Sequence, residues 1–257
     1  VNVSSQVTDW LEMGARFFGY RNDRETTDWG SQMGMIARSL PSIYPYYDGK
    51  YGWDENPEDN SLARNSWFFI HQANGMTTSH DVNATAYFNI TLPYGFRYHG
   101  SFNYKWNDAR ATFKRYPSAA FSFSRNEIVN DKRDLSANTS ANETNTNSYD
   151  WTVSTNLSWN KTYGKHDISA IVGFEAFDYH YKYGYMSKNE FSNEILTEFD
   201  NLVNVNEVKG NSSSYSTASV FGRASYAYDG RYMAEVNFRY DGSSRFTSES
   251  RWGFFPS

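Results

Sequence analysis

The amino-acid sequence predicts an all-β fold built from long antiparallel strands with two unlike faces. Three observations carry that prediction: a period-two alternation in seven segments, segment lengths of about nine to twelve residues, and connections that alternate between tight and long.

The segments justify the strands in order. Leu11, Met13, Ala15, Phe17 and Gly19 form the apolar side of the first; Val82, Ala84, Ala86, Phe88 and Ile90 that of the second. Phe96, Tyr98, Gly100, Phe102, Tyr104 and Trp106 mark the third, and Tyr149, Trp151, Val153, Thr155, Leu157 and Trp159 the fourth. Ile168, Ala170, Val172, Phe174 and Ala176 follow, then Val220, Gly222, Ala224, Tyr226 and Tyr228, then Tyr232, Ala234, Val236, Phe238 and Tyr240. None of these 37 positions is charged, whereas the positions between them carry Glu12, Arg16, Arg97, Lys105, Asp167, Glu175, Arg223, Glu235 and Arg239. A helix would repeat near every 3.6 residues instead. Val1–Val7 and the stretch from Trp252 to Ser257 add two weaker strand candidates.

Segment length points to a membrane. Strands of soluble domains run about 5–6 residues, whereas a tilted strand crossing a bilayer needs about 9–11. The connections agree. Thr8-Asp9-Trp10, Pro93-Tyr94-Gly95, Lys161 to His166 and Asp229-Gly230 are tight turns, and long loops are expected over 21–77, 107–148, 183–214 and 241–250. Short turns at one end and long loops at the other describe an outer-membrane barrel with periplasmic turns and extracellular loops. Aromatics at the strand ends form two expected girdles: Trp10, Tyr94, Trp159, Tyr163, Tyr228 and Tyr232 at the short-turn rim, and Tyr20, Trp106, Tyr149, Tyr181, Tyr215 and Tyr240 at the long-loop rim. The expected fold is therefore a segment of a large antiparallel transmembrane β-barrel. Its eight or nine strands cannot close a wide wall, so the remaining strands, a plug and a leader are expected outside these 257 residues.

Composition removes other classes. Twenty-four Lys and Arg against 29 Asp and Glu give a net charge of −5, which supplies no broad positive field for nucleic acid. Without cysteine there is no disulfide scaffold, thiol nucleophile or zinc ribbon. The five histidines (His71, His80, His99, His166, His180) have no HExxH spacing, and no nucleophile elbow or phosphate loop occurs. The expectation is a protein that is not an enzyme and needs no cofactor or metal.

The last 40 residues carry a resemblance. Ser219-Val220-Phe221-Gly222-Arg223-Ala224-Ser225-Tyr226-Ala227-Tyr228-Asp229-Gly230-Arg231-Tyr232 leads to Phe238-Arg239-Tyr240-Asp241-Gly242-Ser243-Ser244-Arg245-Phe246 and then Arg251-Trp252-Gly253-Phe254-Phe255-Pro256-Ser257. These three linked motifs resemble those of SusC/RagA-type TonB-dependent outer-membrane transporters of Bacteroidetes. The resemblance implies a barrel of 22 strands, here seen near its middle. It implies a SusD-like surface lipoprotein as lid, and coupling to the TonB–ExbB–ExbD complex through a plug and TonB box absent from this stretch. It also implies import of oligosaccharides or peptides. A soluble β-rich glycan-binding or adhesin module is the alternative that the aromatic and Asn-rich loops suggest.

Candidate contacts come from two places. Tyr44, Tyr46, Tyr47, Tyr51 and Trp53 crowd one loop, where flat rings stack on sugars or on a lid. Arg97, His99, Arg223 and Arg239 are expected to face the lumen, where they meet substrate or plug or pair within the wall. Asp241, Gly242, Ser243, Ser244, Arg245, Phe246, Arg251 and Trp252 form the family-motif loop, read as structural, with Asp241 available to pair with Arg245 or Arg251.

Overall fold

The computed structural model describes residues 1–26, 44–53, 65–132, 139–192 and 198–257. Most of them form one nine-stranded antiparallel sheet, in the order β1 (Asn2–Thr8), β2 (Leu11–Thr26), β5 (Ala73–Thr91), β6 (Phe96–Arg115), β9 (Ser140–Tyr163), β10 (His166–Phe191), β11 (Leu202–Tyr228), β12 (Tyr232–Ser243) and β13 (Trp252–Pro256). Between β2 and β5, and again between β6 and β9, the chain leaves to build a smaller sheet of β3 (Tyr46–Tyr47), β4 (Lys50–Gly52), β7 (Ser118–Ser122) and β8 (Glu127–Lys132). A seven-residue helix, α1 (Ser66–Gln72), joins this cap to β5.

Register fixes the faces. Side chains directly opposite one another in a ladder share a face. Leu11 pairs with Ile90, Ile90 with Tyr98, Tyr98 with Leu157, Leu157 with Val172, Val172 with Gly222 and Gly222 with Phe238. Every partner is a position from the alternating segments, so the seven apolar series merge into one uncharged face. No second sheet covers it among the described residues: Phe102, Val172 and Val236 are 47%, 48% and 58% exposed. On that face the first charged or histidine residues toward the long-loop end are Arg21, His80, Asp108 and Asp178, each ten residues along its strand from Leu11, Ile90, Tyr98 and Ile168, and Lys161 and His166 bound it at the short-turn end. The opposite face carries the row Glu12, Asn89, His99, Asn156, Gly173, Phe221 and Arg239.

The ladder is held flush by aromatic rings laid across glycines. Gly14, Gly100, Gly173, Gly222 and Gly242 have Tyr87, Phe88, Phe221, Phe238 and Trp252 as direct cross-strand partners. At Gly100 and Gly222 a Cβ would fall inside the partner's ring. The glycine leaves a trough and the ring fills it, which restores the packing a strand glycine otherwise lacks.

Three expectations change. The strands outrun the expected loops at the long-loop end: 21–26 and 73–77 lie in β2 and β5, 107–115 in β6, and 140–148 in β9. Likewise 183–191 lie in β10, 202–214 in β11 and 241–243 in β12. Beyond the uncharged band both faces carry Asn, Ser, Thr and charged residues, so the alternation ends although backbone pairing continues. In the girdle expected at the long-loop rim, Trp106, Tyr149 and Tyr240 sit on the uncharged face, but Tyr20, Tyr181 and Tyr215 sit on the other. Height along a strand does not set the face; parity does. The cap with α1 is the third change, inside segments expected to be loops.

The tight turns depend on left-handed backbone. Tyr94 and Gly95 have φ of 65° and 90°, and Asp229 and Gly230 have φ of 49° and 65°. Gly tolerates this freely, and Asp is among the residues that accept it best.

Buried apolar cores lie at the long-loop end. One joins Ala141, Phe191 and Leu202, flanked by Tyr116 and Phe199. The other is in the cap, where Phe68 and Ala120 are fully buried. Asn65 organises it: its side-chain amide donates to the Pro45 and Gly52 carbonyls at 2.6 and 2.8 Å, and its oxygen caps α1 by accepting from the Trp67 N–H at 3.0 Å. Nearby, burial raises the Glu143 carboxyl, but hydrogen bonds from Arg110 and Asn145 outweigh it and leave the group below its ordinary range.

Two outcomes follow. Asn65→Ala removes a helix cap and the side-chain donor to two carbonyls, so the cap should lose about 1–3 kcal/mol of local stability, read as faster hydrogen exchange over residues 44–53 with the wall unchanged. Gly222→Val should cost about 1–3 kcal/mol by driving a side chain into the Phe238 ring, measured as a lower unfolding midpoint in detergent.

Candidate functional site

The face opposite the uncharged one holds the polar candidates. His99 stands in a chain of hydrogen bonds across three strands. Its Nδ1–H donates to the Asn89 carbonyl oxygen at 2.7 Å, and the Asn89 amide donates to the Glu12 carboxylate at 3.0 Å. The His99 Nε2 makes no hydrogen bond among the described residues, and the imidazole lies 6.4 Å from the Tyr87 ring, centroid to centroid. Arg97 and Arg223 lie in one row, joined through Ser158 and Ile171. Three strand intervals put them about 14 Å apart. Both are exposed, and neither has an ion pair among the described residues. They supply two spaced cationic donors.

Arg239 differs. Its guanidinium donates to Asp241 at 2.6 Å and to Ser219 at 2.9 Å, and lies 3.7 Å from Glu175 and 6.0 Å from the Phe221 centroid. It is tied into the wall. Its pairing also corrects the expected ion pairs of the motif loop, since Asp241 is engaged by Arg239 from its own strand rather than by Arg245 or Arg251. The adjacency i, i+2 puts Arg239 and Asp241 on one face, which a loop reading of 241–250 hides.

The other motif residues are mostly structural. Trp252 stacks on Tyr240 at 5.0 Å and covers Gly242. Ser243 accepts from the Arg245 N–H through its hydroxyl, and Ser244 exchanges two hydrogen bonds with Ser216. Arg245 lies 3.8 Å over the Tyr215 ring. Phe246 is 60% exposed. Arg251 accepts the Ser243 N–H on its backbone oxygen and closes the loop.

The aromatic loop divides in two. Tyr51 and Trp53 pack against Phe68, at 5.9 and 5.5 Å. Burial, with Tyr46 beside it, pushes the Tyr51 hydroxyl up. Tyr44, Tyr46 and Tyr47 are 64%, 51% and 65% exposed, and the Tyr46 ring lies 5.1 Å from that of Tyr51. Tyr44 and Tyr47 flank Phe123 at 6.0 and 5.9 Å, so these two rings form a platform on the cap, separate from the Tyr46–Tyr51 pair. Gly52 admits no side chain, because a Cβ there would meet the Tyr44 carbonyl.

One feature escaped the sequence reading. On the polar face of β10, Phe177, Tyr179, Tyr181, Tyr183 and Tyr185 follow at every second residue. Tyr215 joins them from β11, at 5.6 Å from Phe177 and 5.4 Å from Tyr179. The signal was present as a period-two aromatic run. It lies in the opposite parity to the apolar series that ends at Ala176, and half of it falls in the expected loop.

No protein-family model matches the chain. Curated relatives do. It is 22% identical to TonB-dependent receptor P39 of Formosa agariphila along its entire length, matching 24% of that protein. It is 31% identical to TonB-dependent receptor SusC of Bacteroides thetaiotaomicron over 112 residues, which are 40% of this chain and 10% of that one. Among solved structures, 99% of the chain superposes on 28% of a chain of the RagAB peptide transporter, with a TM-score of 0.76 and 19% identity. The open-open state of that importer gives 0.77. The chain thus spans about a quarter of the length of receptor P39 and of the RagAB chain, and its match to SusC covers a tenth of that protein. It has the fold of a stretch of barrel wall, and in sequence and in the linked motifs at the β11–β13 end it is similar to the SusC/RagA-type TonB-dependent receptors.

Proposed function

We propose that the full-length protein is an outer-membrane importer that takes up oligosaccharides or peptides with a SusD-like lipoprotein as lid and TonB as its energy source. The observation that carries this is the coherent uncharged face. It crosses the nine-stranded sheet in register and is about ten residues tall, the height a tilted strand needs to span the hydrocarbon layer. Lipid offers no partner to a backbone amide, so such a wall must pair throughout and close on itself.

In this reading the wall's own residues have divided roles. The uncharged face meets lipid. Arg97, His99 and Arg223 present donors to substrate or to a plug. Tyr44, Tyr46 and Tyr47 offer ring faces to lid or substrate at the extracellular end. Arg239 and the motif loop keep the β11–β13 ladder in shape. The protein works by gated passage rather than by bond chemistry, and the plug and TonB box supply the gate.

Fractionation of cells expressing the full-length protein tests the reading. The protein should sediment with outer membranes, require detergent, and show heat-modifiable mobility, and deletion of tonB should abolish uptake. Recovery as a detergent-free soluble monomer would favour a glycan-binding or adhesin module instead. The face assignment has its own check. Val172→Arg or Val236→Arg puts a charge toward lipid, at about 2–4 kcal/mol, and should deplete assembled barrel. Ser169→Arg faces the wet side and should assemble normally.

A further inference from the structure

We infer that the aromatic ladder of β10, with Tyr215 beside it, is a binding track for an extended, uncharged polyhydroxylated chain, that is, a neutral oligosaccharide. The inference rests on the importer reading for its location, because that reading makes the polar face of β10 the lumen wall. The chemistry stands on the side chains themselves.

The ladder is continuous and directional. Rungs on alternate residues of a strand are about 6.5–7 Å apart, so the rings climb β10 from mid-wall toward the long-loop end as a rail. The residues directly opposite are small on both sides for the middle rungs. Ser148 and Ser213 flank Tyr181, and Thr146 and Asn211 flank Tyr183. The Tyr181 and Tyr183 rings therefore have only small side chains beside them and are partly exposed. Neither makes a ring contact among the described residues, unlike Phe177 and Tyr179 lower down, which lean on Tyr215. The phenol hydroxyls of Tyr179, Tyr181, Tyr183 and Tyr185 also have no hydrogen-bond partner among the described residues. Four free hydroxyls and two free rings on a folded wall are recognition capacity that the fold itself does not consume.

Charge selects the occupant. The middle of the track shows phenols, hydroxyls and amides only. Its charges sit beside the end rungs: Lys209, opposite Tyr185, bonds Glu207; Asp150, opposite Tyr179, also faces Lys105; and the Arg245 guanidinium is stacked on Tyr215. A peptide brings charged ends and an amide backbone that seeks a strand edge, and β10 has no edge because β9 and β11 pair it on both sides. A sugar chain instead brings C–H faces for the rings and hydroxyls for the phenols and for Ser148, Thr146, Ser213 and Asn211. Neutral, flat and hydroxyl-rich is the complement of what lines the rail.

The test uses the purified full-length protein in detergent, with calorimetric titration of neutral linear hexasaccharides (glucan, xylan and mannan) and of uncharged, end-capped hexapeptides. At least one hexasaccharide should bind. The double variant Tyr181→Ala/Tyr183→Ala should weaken that binding on the order of tenfold or more. The Tyr181→Phe/Tyr183→Phe pair, which keeps the rings and loses the hydroxyls, should fall between. His180→Ala, on the other face, should leave binding unchanged, and heat-modifiable mobility certifies that each variant is assembled. Undiminished sugar binding in the assembled alanine double variant would overturn the inference. So would failure of every hexasaccharide to bind the wild type, or hexapeptide binding that the alanine variant loses. Titration needs no TonB, so uptake that persists after deletion of tonB, with binding intact, would count against the importer reading and leave the track standing.

Discussion

The structure depends on one constraint: every strand of the wall shares a single register with its neighbours. A side-chain period of two makes register and face the same variable, so a slip of one residue in one strand would turn its lipid-type side chains inward and its charges outward. The strands from β2 to β13 meet that condition together across the uncharged band; the register shifts only at Gln6–Thr8 in β1 and, beyond the band, at Ser187–Lys188 in β10. The aromatic rings seated over glycines help to pin it, because Phe88 fits over Gly100 and Phe238 over Gly222 only when those residues are directly opposed. A shifted strand would put each ring against a Cβ and leave each trough empty.

The same constraint explains why an aromatic-rich chain with a mean hydropathy of −0.75 forms a wall of this kind. Half of each strand faces the polar side, and beyond the uncharged band both halves are polar. The average hides two populations that parity separates cleanly. Apolar burial is accordingly confined to the long-loop end, where Phe68 and Phe191 anchor separate small cores. The wall stands mainly on backbone pairing and cross-strand contacts, and the cap stands on local packing organised by Asn65.

This division sets how much the sequence discloses. The strands with alternating apolar residues were legible, from Leu11 through Tyr240, because charge is excluded from one parity. Their extensions were not. In Asn142 to Ser148 both parities are polar, and the strand persists because β6 and β10 supply hydrogen-bond partners on both sides, a cause that lies outside the segment. The helix from Ser66 to Gln72 is too short to show a period, and its cap residue Asn65 is recognisable only once Pro45 and Gly52 are seen to converge on it. Among the candidate contacts, the polar-face parity of Arg97, His99, Arg223 and Arg239 was legible. The pairing of Arg239 with Asp241 was not, because it needed β12 to run through the motif.

The tyrosine run of β10 shows where such reading turns. Alternation is usually taken as a report on burial, with the aromatic parity assigned to the apolar side. Here the aromatic parity changes at Phe177, while the strand and its register continue unbroken from His166 to Ser187. With register held, the change cannot be a shift of the strand; it is a change in what each face meets. Below Phe177 the odd positions of β10 carry Ser169, Gly173 and Glu175, and the even ones Ile168, Val172 and Phe174. Above it the odd positions carry rings, and the even ones Asp178, His180 and Lys182. An inversion of amphipathicity inside one straight, fully paired strand has no use for stability, since neither face gains a covering layer there. It fits the proposed importer, in which the outer surface passes from lipid to water at this height while the inner surface presents the proposed track.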